Sequence, residues 1–490
     1  MQSNPLQSIK STYDTALSLA RDGDLTQAAS LLDGLALQAP NLPEVQYQRA
    51  RLAGRMGDQE KRLSSIDRAL SLRPQEPAIL TEAIAAHSTA GHHDTVLSLF
   101  DRQIALDPTA VKPQAEKALY LQTAGKFNAS ERLLRKLQKK HPHDPELYRM
   151  LATTIRIKPN DPMIGAMRRL ANHPKLSPQG RMHINFALAK AMEDTKQSAK
   201  VFPYLRQANT AQAQLWPDAP DARNRERDAV LSAQAGLSPI THTAAGTNPG
   251  MIFVTGLPRS GTTLVEQIIG SHSQVQAGGE MATALRTAYA LFGKGGEIRQ
   301  LSKEPVANLN AFSKRLGIAN QPFAHPDKAY LTDKSIMAFL IYGLLHATLP
   351  NARFIVVHRD PRDIALSIYK NHFNAGTHRY ANDLASIAEV IKSFRKIIAH
   401  WRETLPDRFA EVRYEDLVSD PETQSKHLIA SAGLDWEDQC LNFYEKGGTV
   451  KTLSLHQVRQ PIYRSSAAAW RRYETELQPF IDAWGDTPWD

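Results

Sequence analysis

The 490-residue chain has one cysteine, Cys440. An intramolecular disulfide is excluded, and so is a cysteine-rich metal site. A lone thiol suits a reducing compartment. No stretch reaches the 18 apolar residues of a membrane helix, and Met1 to Lys10 is polar, without the apolar core of a signal segment. The expectation is a cytoplasmic protein with no membrane span. Charge of one sign is not in large excess: Lys+Arg 59 minus Asp+Glu 50 gives +9, with a pI near 9.4. That bias fits an anionic ligand and gives no argument for nucleic acid. With 22% charged and 42% hydrophobic residues, the chain is neither disordered throughout nor collagen-like. Its length allows roughly two to four domains.

What the chain does have is a repeat. Glycines stand at 23, 57, 91 and 125, and prolines at 40, 74, 108 and 142, each ladder with a period of 34. Each unit reads as helix, turn, helix. Glycine tolerates the left-handed cap that ends the first helix, and proline cannot continue the second. Seven positions before the glycine come Ala16, Ala50 and Ala118, small enough for close helix approach, with Ile84 as the exception. Nine positions after it come Leu32, Ile66, Phe100 and Leu134, apolar fillers for the groove between helices. This resembles the tetratricopeptide repeat family over about residues 9–142, as four repeats. Residues 143–215 read as helices that cap the open end. Such a stack implies either a docking groove for a protein or peptide or a structural arm. Residues 216–249, rich in Pro, Ser, Thr and Gly, read as a linker.

The remainder, 250–490, opens with a phosphate loop. Met251 to Thr255 is a strand-forming run, Gly256-Leu257-Pro258-Arg259-Ser260-Gly261-Thr262-Thr263 follows, and Leu264 to Ile269 reads as helix. Strand, glycine loop and helix is the context in which backbone N–H groups cradle an anion. The lysine that follows the second glycine in nucleoside-triphosphate loops is replaced by Thr262, and Arg259 supplies the cation. A second strand, Ala352 to His358, ends in Arg359-Asp360-Pro361-Arg362-Asp363 and a helical run containing Ser367. Two anion-binding elements at strand ends fit one ligand with two phosphate groups. The fold class expected is α+α/β. An N-terminal all-α helical-repeat solenoid is followed by a three-layer α/β domain with a parallel sheet.

These two motifs resemble those of the sulfotransferases, which use 3′-phosphoadenosine 5′-phosphosulfate and release 3′-phosphoadenosine 5′-phosphate. The resemblance implies that Pro258, Arg259, Ser260, Gly261, Thr262 and Thr263 hold the 5′-phosphosulfate, and that Arg359 and Ser367 hold the 3′-phosphate. Further segments are similar to the tyrosylprotein branch of the family. Gly278-Gly279-Glu280 implies Glu280 as general base. Thr332-Asp333-Lys334 implies a lysine on the leaving phosphate bridge, and Val412 to Leu417 implies that Tyr414 lies against the cofactor. Ser454-x2-Gln457-Val458-x2-Pro461 with Trp470 implies a serine on the phosphosulfate. The chain departs from the pattern at Ala469, where that branch has a cofactor-binding lysine; Arg464, Arg471 and Arg472 are replacements within reach in sequence. The branch's membrane anchor and paired cysteines are absent from this sequence.

Transfer of SO3 between oxygens needs a proton acceptor for the attacking hydroxyl and cations for the charge that develops. Glu280, Arg259, Lys334 and Ser454 are the candidate catalytic residues, with no metal required. His272, His358, His372 and His378 are rival bases. Two other functions stay open: a nucleotide-dependent kinase-like enzyme and a non-catalytic repeat scaffold. The acceptor expected from the resemblance is a protein tyrosine, with glycan, lipid and small phenol as alternatives. An unanchored chain with a single cysteine reads as bacterial.

Overall fold

The computed structural model describes residues 5–240, 250–294, 297–445, 462 and 467–489. Eight helices follow the repeat ladder: α1 (Pro5–Arg21), α2 (Leu25–Gln38), α3 (Pro43–Met56), α4 (Gln59–Leu72), α5 (Pro77–Thr89), α6 (His93–Leu106), α7 (Val111–Thr123) and α8 (Phe127–Lys140). Gly23, Gly57, Gly91 and Gly125 all adopt the left-handed conformation, with φ between +76° and +89°. An L side chain pays steric strain there, so glycine is the residue that turns each hairpin. The second helix of every unit stops two residues before the ladder proline, because the residue preceding proline is pushed out of the helical region. Ala16, Ala50 and Ala118 are fully buried, and Leu32, Ile66, Phe100 and Leu134 are at most 4% exposed. At the irregular position Ile84 is half-buried while its neighbour Ala83 is fully buried, so the small residue is displaced by one.

Further helices α9 (Pro145–Thr154), α10 (Pro162–Ala171), α11 (Pro178–Asp194) and α12 (Val201–Leu215) continue the chain. The stretch read as a linker is not irregular throughout, since α13 (Pro220–Ser232) occupies most of its first half. The turn formers that suggested a linker lie mostly in its flanks, and the Asp, Arg and Glu between them suit a solvated helix.

The rest alternates strand and helix: β1 (Gly250–Gly256), α14 (Thr262–Gly270), β2 (Val275–Ala277), α15 (Thr283–Phe292), the short strands β3 (Gly293–Lys294) and β4 (Glu297–Ile298), and α16 (Val306–Asn320). Then come β5 (Tyr330–Asp333), α17 (Tyr342–Thr348), β6 (Arg353–His358), α18 (Pro361–Tyr369), α19 (Leu384–Thr404), β7 (Phe409–Arg413), α20 (Tyr414–Ser419), α21 (Pro421–Ser431) and α22 (Gln478–Trp484). The main sheet has strand order β2-β5-β1-β6-β7, and β3 pairs antiparallel with β4. β5 runs parallel to β1, with Gly250 opposite Tyr330 and Phe253 opposite Asp333, and parallel to β2. The near-continuous burial of β1 and β6 is what helix-covered parallel strands require.

By compactness the chain divides into two units, Met1–Ala110 with Arg225–Thr255 and His272–Phe354, and Val111–Asn224 with Gly256–Ser271 and Ile355–Asp490. In the first, the buried Gln234 donates to Leu340 O at 2.7 Å and accepts from Leu344 N at 3.1 Å, tying the end of α13 to α17. In the second, Asn209 of α12 donates to Tyr369 O of α18 at 2.9 Å, and Phe202 stacks on the Tyr369 ring.

Two predictions follow from these contacts. Asp24 and Asp58 cap α2 and α4 by accepting from Gln27 N and Lys61 N, whereas Lys126 before α8 makes no such bond. Asp58→Ala will therefore cost about 1 kcal/mol and Lys126→Asp will add stability, read as opposite shifts of the urea midpoint. The second concerns a histidine pair, His183 buried and His372 half-buried. Arg149 Nε donates to His183 Nδ1 at 3.0 Å, and the His183 ring lies 5.3 Å from that of His372. Burial, then Arg149 and His372, hold His183 down to about 3; burial, then Arg149, holds His372 down to about 4. Both folded values lie below the unfolded one near 6.5, so the unfolded state binds more protons. Their contribution is present above pH 6.5 and is lost as the pH falls toward 4. Thermal midpoints measured from pH 7 to 4 will fall, and His372→Phe will flatten that slope.

Candidate active site

The phosphate loop leaves no room for side chains at its two glycines. A Cβ on Gly256 would stand 2.5 Å from Ser260 Oγ and 2.8 Å from Val357 O. Gly261 has φ +105°, and a Cβ there would lie 2.5 Å from Tyr414 Cδ2. The Tyr414 ring thus closes directly over the loop backbone. Arg259 has φ +72°, a strained value for a residue with a side chain, of the kind held only where the surroundings over-determine it. Ser260, Thr262 and Thr263 are buried, the threonines forming the first turn of α14. Among the described residues, Ser260 Oγ is buried and has no hydrogen-bond partner. A buried hydroxyl left so costs free energy, which an anion in the loop would recover.

The second motif meets the first within the same unit. Arg259 Nε donates to Ser367 Oγ at 3.0 Å, and Arg359 Nη1 donates to Arg259 O at 3.0 Å. The Arg359 guanidinium lies 4.6 Å from the centre of the Tyr414 ring. Its structural alternatives are largely taken. Asp360 caps α18 and forms a two-pronged pair with Arg362, at 2.9 and 2.7 Å. Asp363 stands 3.7 Å from Arg359 and accepts from Ala468 N and Trp470 N at 2.7 and 2.9 Å. Burial raises the Asp363 carboxyl, opposed by Arg359 and the two amides. The structure therefore brings Arg259, Arg359, Ser367 and Tyr414 together around the loop that carries Ser260, with Thr262 and Thr263 at the start of α14. Pro258, half-buried, belongs to the same turn.

Glu280 and Lys334 form a second cluster, in the other unit. Lys334 Nζ donates to Glu280 Oε1 at 2.7 Å; the lysine side chain is 3% exposed and the glutamate 50%. A buried ammonium needs such a partner. The loop itself is tied down along its length. Gly278 N donates to Thr332 Oγ1 at 3.1 Å, Lys334 N to Gly279 O at 2.8 Å, and Ala282 N to Ser335 Oγ at 2.6 Å. Ser335 in turn bonds Asp333 Oδ1 through both its amide and its hydroxyl. Ser335 and Asp363 were missed as positioning residues. Ser335 directly follows the Thr-Asp-Lys motif, and Asp363 closes the Arg359-Asp360-Pro361-Arg362-Asp363 turn.

The rival histidines are occupied otherwise. His272 is buried and accepts from Gln274 N, and His372 packs against His183 and Phe186. His358 Nε2 lies 2.6 Å from Glu411, and His378 stacks on Phe373. Burial would raise Glu411, but hydrogen bonds from Arg402 and His358 pull it down to about 2. Ser454, Gln457, Val458, Pro461 and Arg464 lie outside the described residues. Ala469 begins a short turn in which Arg471 leans toward Trp470 and Arg472 toward Tyr473, while Arg362 stacks on Trp470 at 3.8 Å and Trp489 at 4.5 Å. Among the described residues no group of three or more His, Cys, Asp or Glu is arranged to hold a metal ion, and no helix is long and apolar enough to cross a membrane.

Residues 249–438 match the sulfotransferase family model. An uncharacterised protein of Aquifex aeolicus is 33% identical over 347 residues, which are 66% of this chain and 44% of that protein. Protein-tyrosine sulfotransferase 1 of Danio rerio is 26% identical over 233 residues, 43% of this chain and 60% of that one. The chain thus spans less than two thirds of either relative. Among solved structures, the sulfotransferase domain of the Synechococcus olefin synthase is 19% identical with a TM-score of 0.32, covering 51% of this chain and all of that one. A tetratricopeptide repeat protein of Parabacteroides merdae is 16% identical with a TM-score of 0.31, covering 43% and 80%. Residues 249–438 form a sulfotransferase-family domain, and in this chain it follows helical repeats of the tetratricopeptide kind.

The Glu280 loop generates its own test. A Cβ on Gly278 would lie 2.3 Å from Thr332 O, whereas one on Gly279 meets nothing within 4 Å and pays only for φ +69°. Gly278→Ala will cost about 3 kcal/mol and Gly279→Ala about 1 kcal/mol, read from thermal midpoints.

Proposed function

We propose that the chain transfers a sulfuryl group from 3′-phosphoadenosine 5′-phosphosulfate to an acceptor hydroxyl, with a protein tyrosine as the preferred acceptor class. The observation that carries the reading is the joined pair of anion motifs, Arg259 on Ser367 and Arg359 on the Arg259 carbonyl, around a buried hydroxyl at Ser260. One wall with two arginines and a helix N-terminus suits a nucleotide with phosphate groups at both ends of the ribose. A loop without the usual lysine argues against a triphosphate and its magnesium.

In this reading Glu280 takes the proton of the attacking hydroxyl as the new O–S bond forms. The bond from sulfur to the 5′-phosphate oxygen breaks, and 3′-phosphoadenosine 5′-phosphate leaves. Lys334 and Arg259 stabilise the charge that collects on the sulfuryl oxygens and the leaving phosphate. Ser454 and an arginine in place of the lysine expected at Ala469 complete the cofactor contacts. The repeats, 9–142, dock a polypeptide acceptor, and the enzyme acts in a bacterial cytoplasm. The protein-tyrosine sulfotransferase relatives support the acceptor class, and the Aquifex relative supports the source.

The test is transfer of radiolabelled sulfate from the donor into a fractionated host lysate. Wild type will label a protein band, and Glu280→Gln will lower that label by about 100-fold or more. Full label with Glu280→Gln contradicts the base assignment. Label confined to glycan or small-molecule fractions contradicts the acceptor class.

A further inference from the structure

The helix that leaves the Glu280 loop is held by the repeats. In the first unit Ala290 of α15 belongs to the same apolar cluster as Leu25, Ala28, Leu32, Leu52 and Met56. Carbonyls in the last turn of a helix have no partner within it. Thr26 of α2 meets one of them, its Oγ1 donating to Ala290 O at 3.1 Å. The other end of α15 meets the ladder glycine that caps α3. A Cβ on Gly57 would stand 3.6 Å from Thr283 O and from Thr287 Oγ1, and 3.7 Å from Arg286 Cβ. Behind α15, Thr283 Oγ1 donates to Asn320 Oδ1 of α16 at 2.7 Å, and Arg315 of α16 reaches Met56 Sδ at 3.7 Å. Both ends of α15 and the helix behind it thus touch the first two repeats.

The loop ends where α15 begins. Ala282, at φ +53°, is the residue before the helix, and its amide is the one bonded to Ser335. A tilt of α15 would move Ala282, and Glu280 lies two residues before it on the same backbone. A displacement of about 1 Å at a reacting group can lower a rate on the order of 100-fold.

We propose that the first two repeats position the Glu280 loop by clamping α15 at both ends. Resting on the sulfotransferase reading, this makes Thr26 and Gly57 positioning residues for the transfer step, distinct from any acceptor docking elsewhere in the repeats.

The experiment uses the full-length chain. Thr26→Val removes the hydroxyl at constant shape, Thr26→Ser restores it, and Gly57→Asn keeps a residue that tolerates positive φ while pushing a side chain at Thr283 and Thr287. Amide hydrogen exchange of the segment 278–282 is measured, with kcat and KM for 2-naphthol as the acceptor probe and the Kd of adenosine 3′,5′-bisphosphate. The expected result is several-fold faster exchange at 278–282 in Thr26→Val and Gly57→Asn, and kcat down by about tenfold. KM, Kd and the thermal midpoint stay close to wild type, and Thr26→Ser behaves as wild type. Unchanged exchange at 278–282 overturns the proposal. So does a raised KM at constant kcat, which is the signature of acceptor docking, or an even rise in exchange along the chain with a lower midpoint. Failure of the sulfotransferase reading shows separately, as wild type that does not bind the bisphosphate, and the exchange result still decides the clamp.

Discussion

Close approach of a bare backbone is the constraint on which the phosphate site depends. Gly256 and Gly261 have no room for a Cβ, and the neighbours that fill the space are the site itself: Ser260, Val357 and the Tyr414 ring. Because Tyr414 presses on Gly261, it also presents its face to Arg359. Because Arg359 reaches the Arg259 carbonyl, the strained turn at Arg259 is held with its side chain on Ser367. Strain in the loop, burial of Ser260 and the cation–π contact are thus consequences of one packing decision. A nucleotide phosphate would take the place for which these groups are already arranged, with little reorganisation at the moment of binding.

The same backbone logic shapes the repeats, for a different end. The ladder glycines turn the hairpins in the left-handed conformation, and one of them, Gly57, also serves as the smooth surface against which α15 rests. A helix cap and a helix contact are made by one residue. That economy links an architectural repeat to a loop carrying a candidate base. Tetratricopeptide-type repeats need not be read only as peptide receptors when their first two units are spent on a neighbouring helix.

Much of this was legible in the residues. The 34-residue ladder marked the turns and the ends of the paired helices because glycine and proline act through local sterics alone. The strand-loop-helix pattern marked the loop around Arg259 and Gly261, and the family resemblance added Arg359 and Ser367, which the structure places beside that loop. Less visible were contacts that depend on tertiary packing. Ser335 and Asp363 act by bonding backbone amides 53 and 105 residues away, and neither spacing has a local signature. Helix α13 was hidden by turn formers in its flanks. Thr26, a repeat residue bonded to Ala290, carries no signal in its own repeat because its partner lies 264 residues on.

Titration calorimetry with adenosine 3′,5′-bisphosphate tests the central claim most directly. Wild type is predicted to bind it in the absence of metal, Arg359→Ala to weaken that binding by 10-fold or more, and ATP with magnesium to bind far more weakly than the bisphosphate. Preference for ATP with magnesium, or bisphosphate binding that ignores Arg359→Ala, would contradict the account.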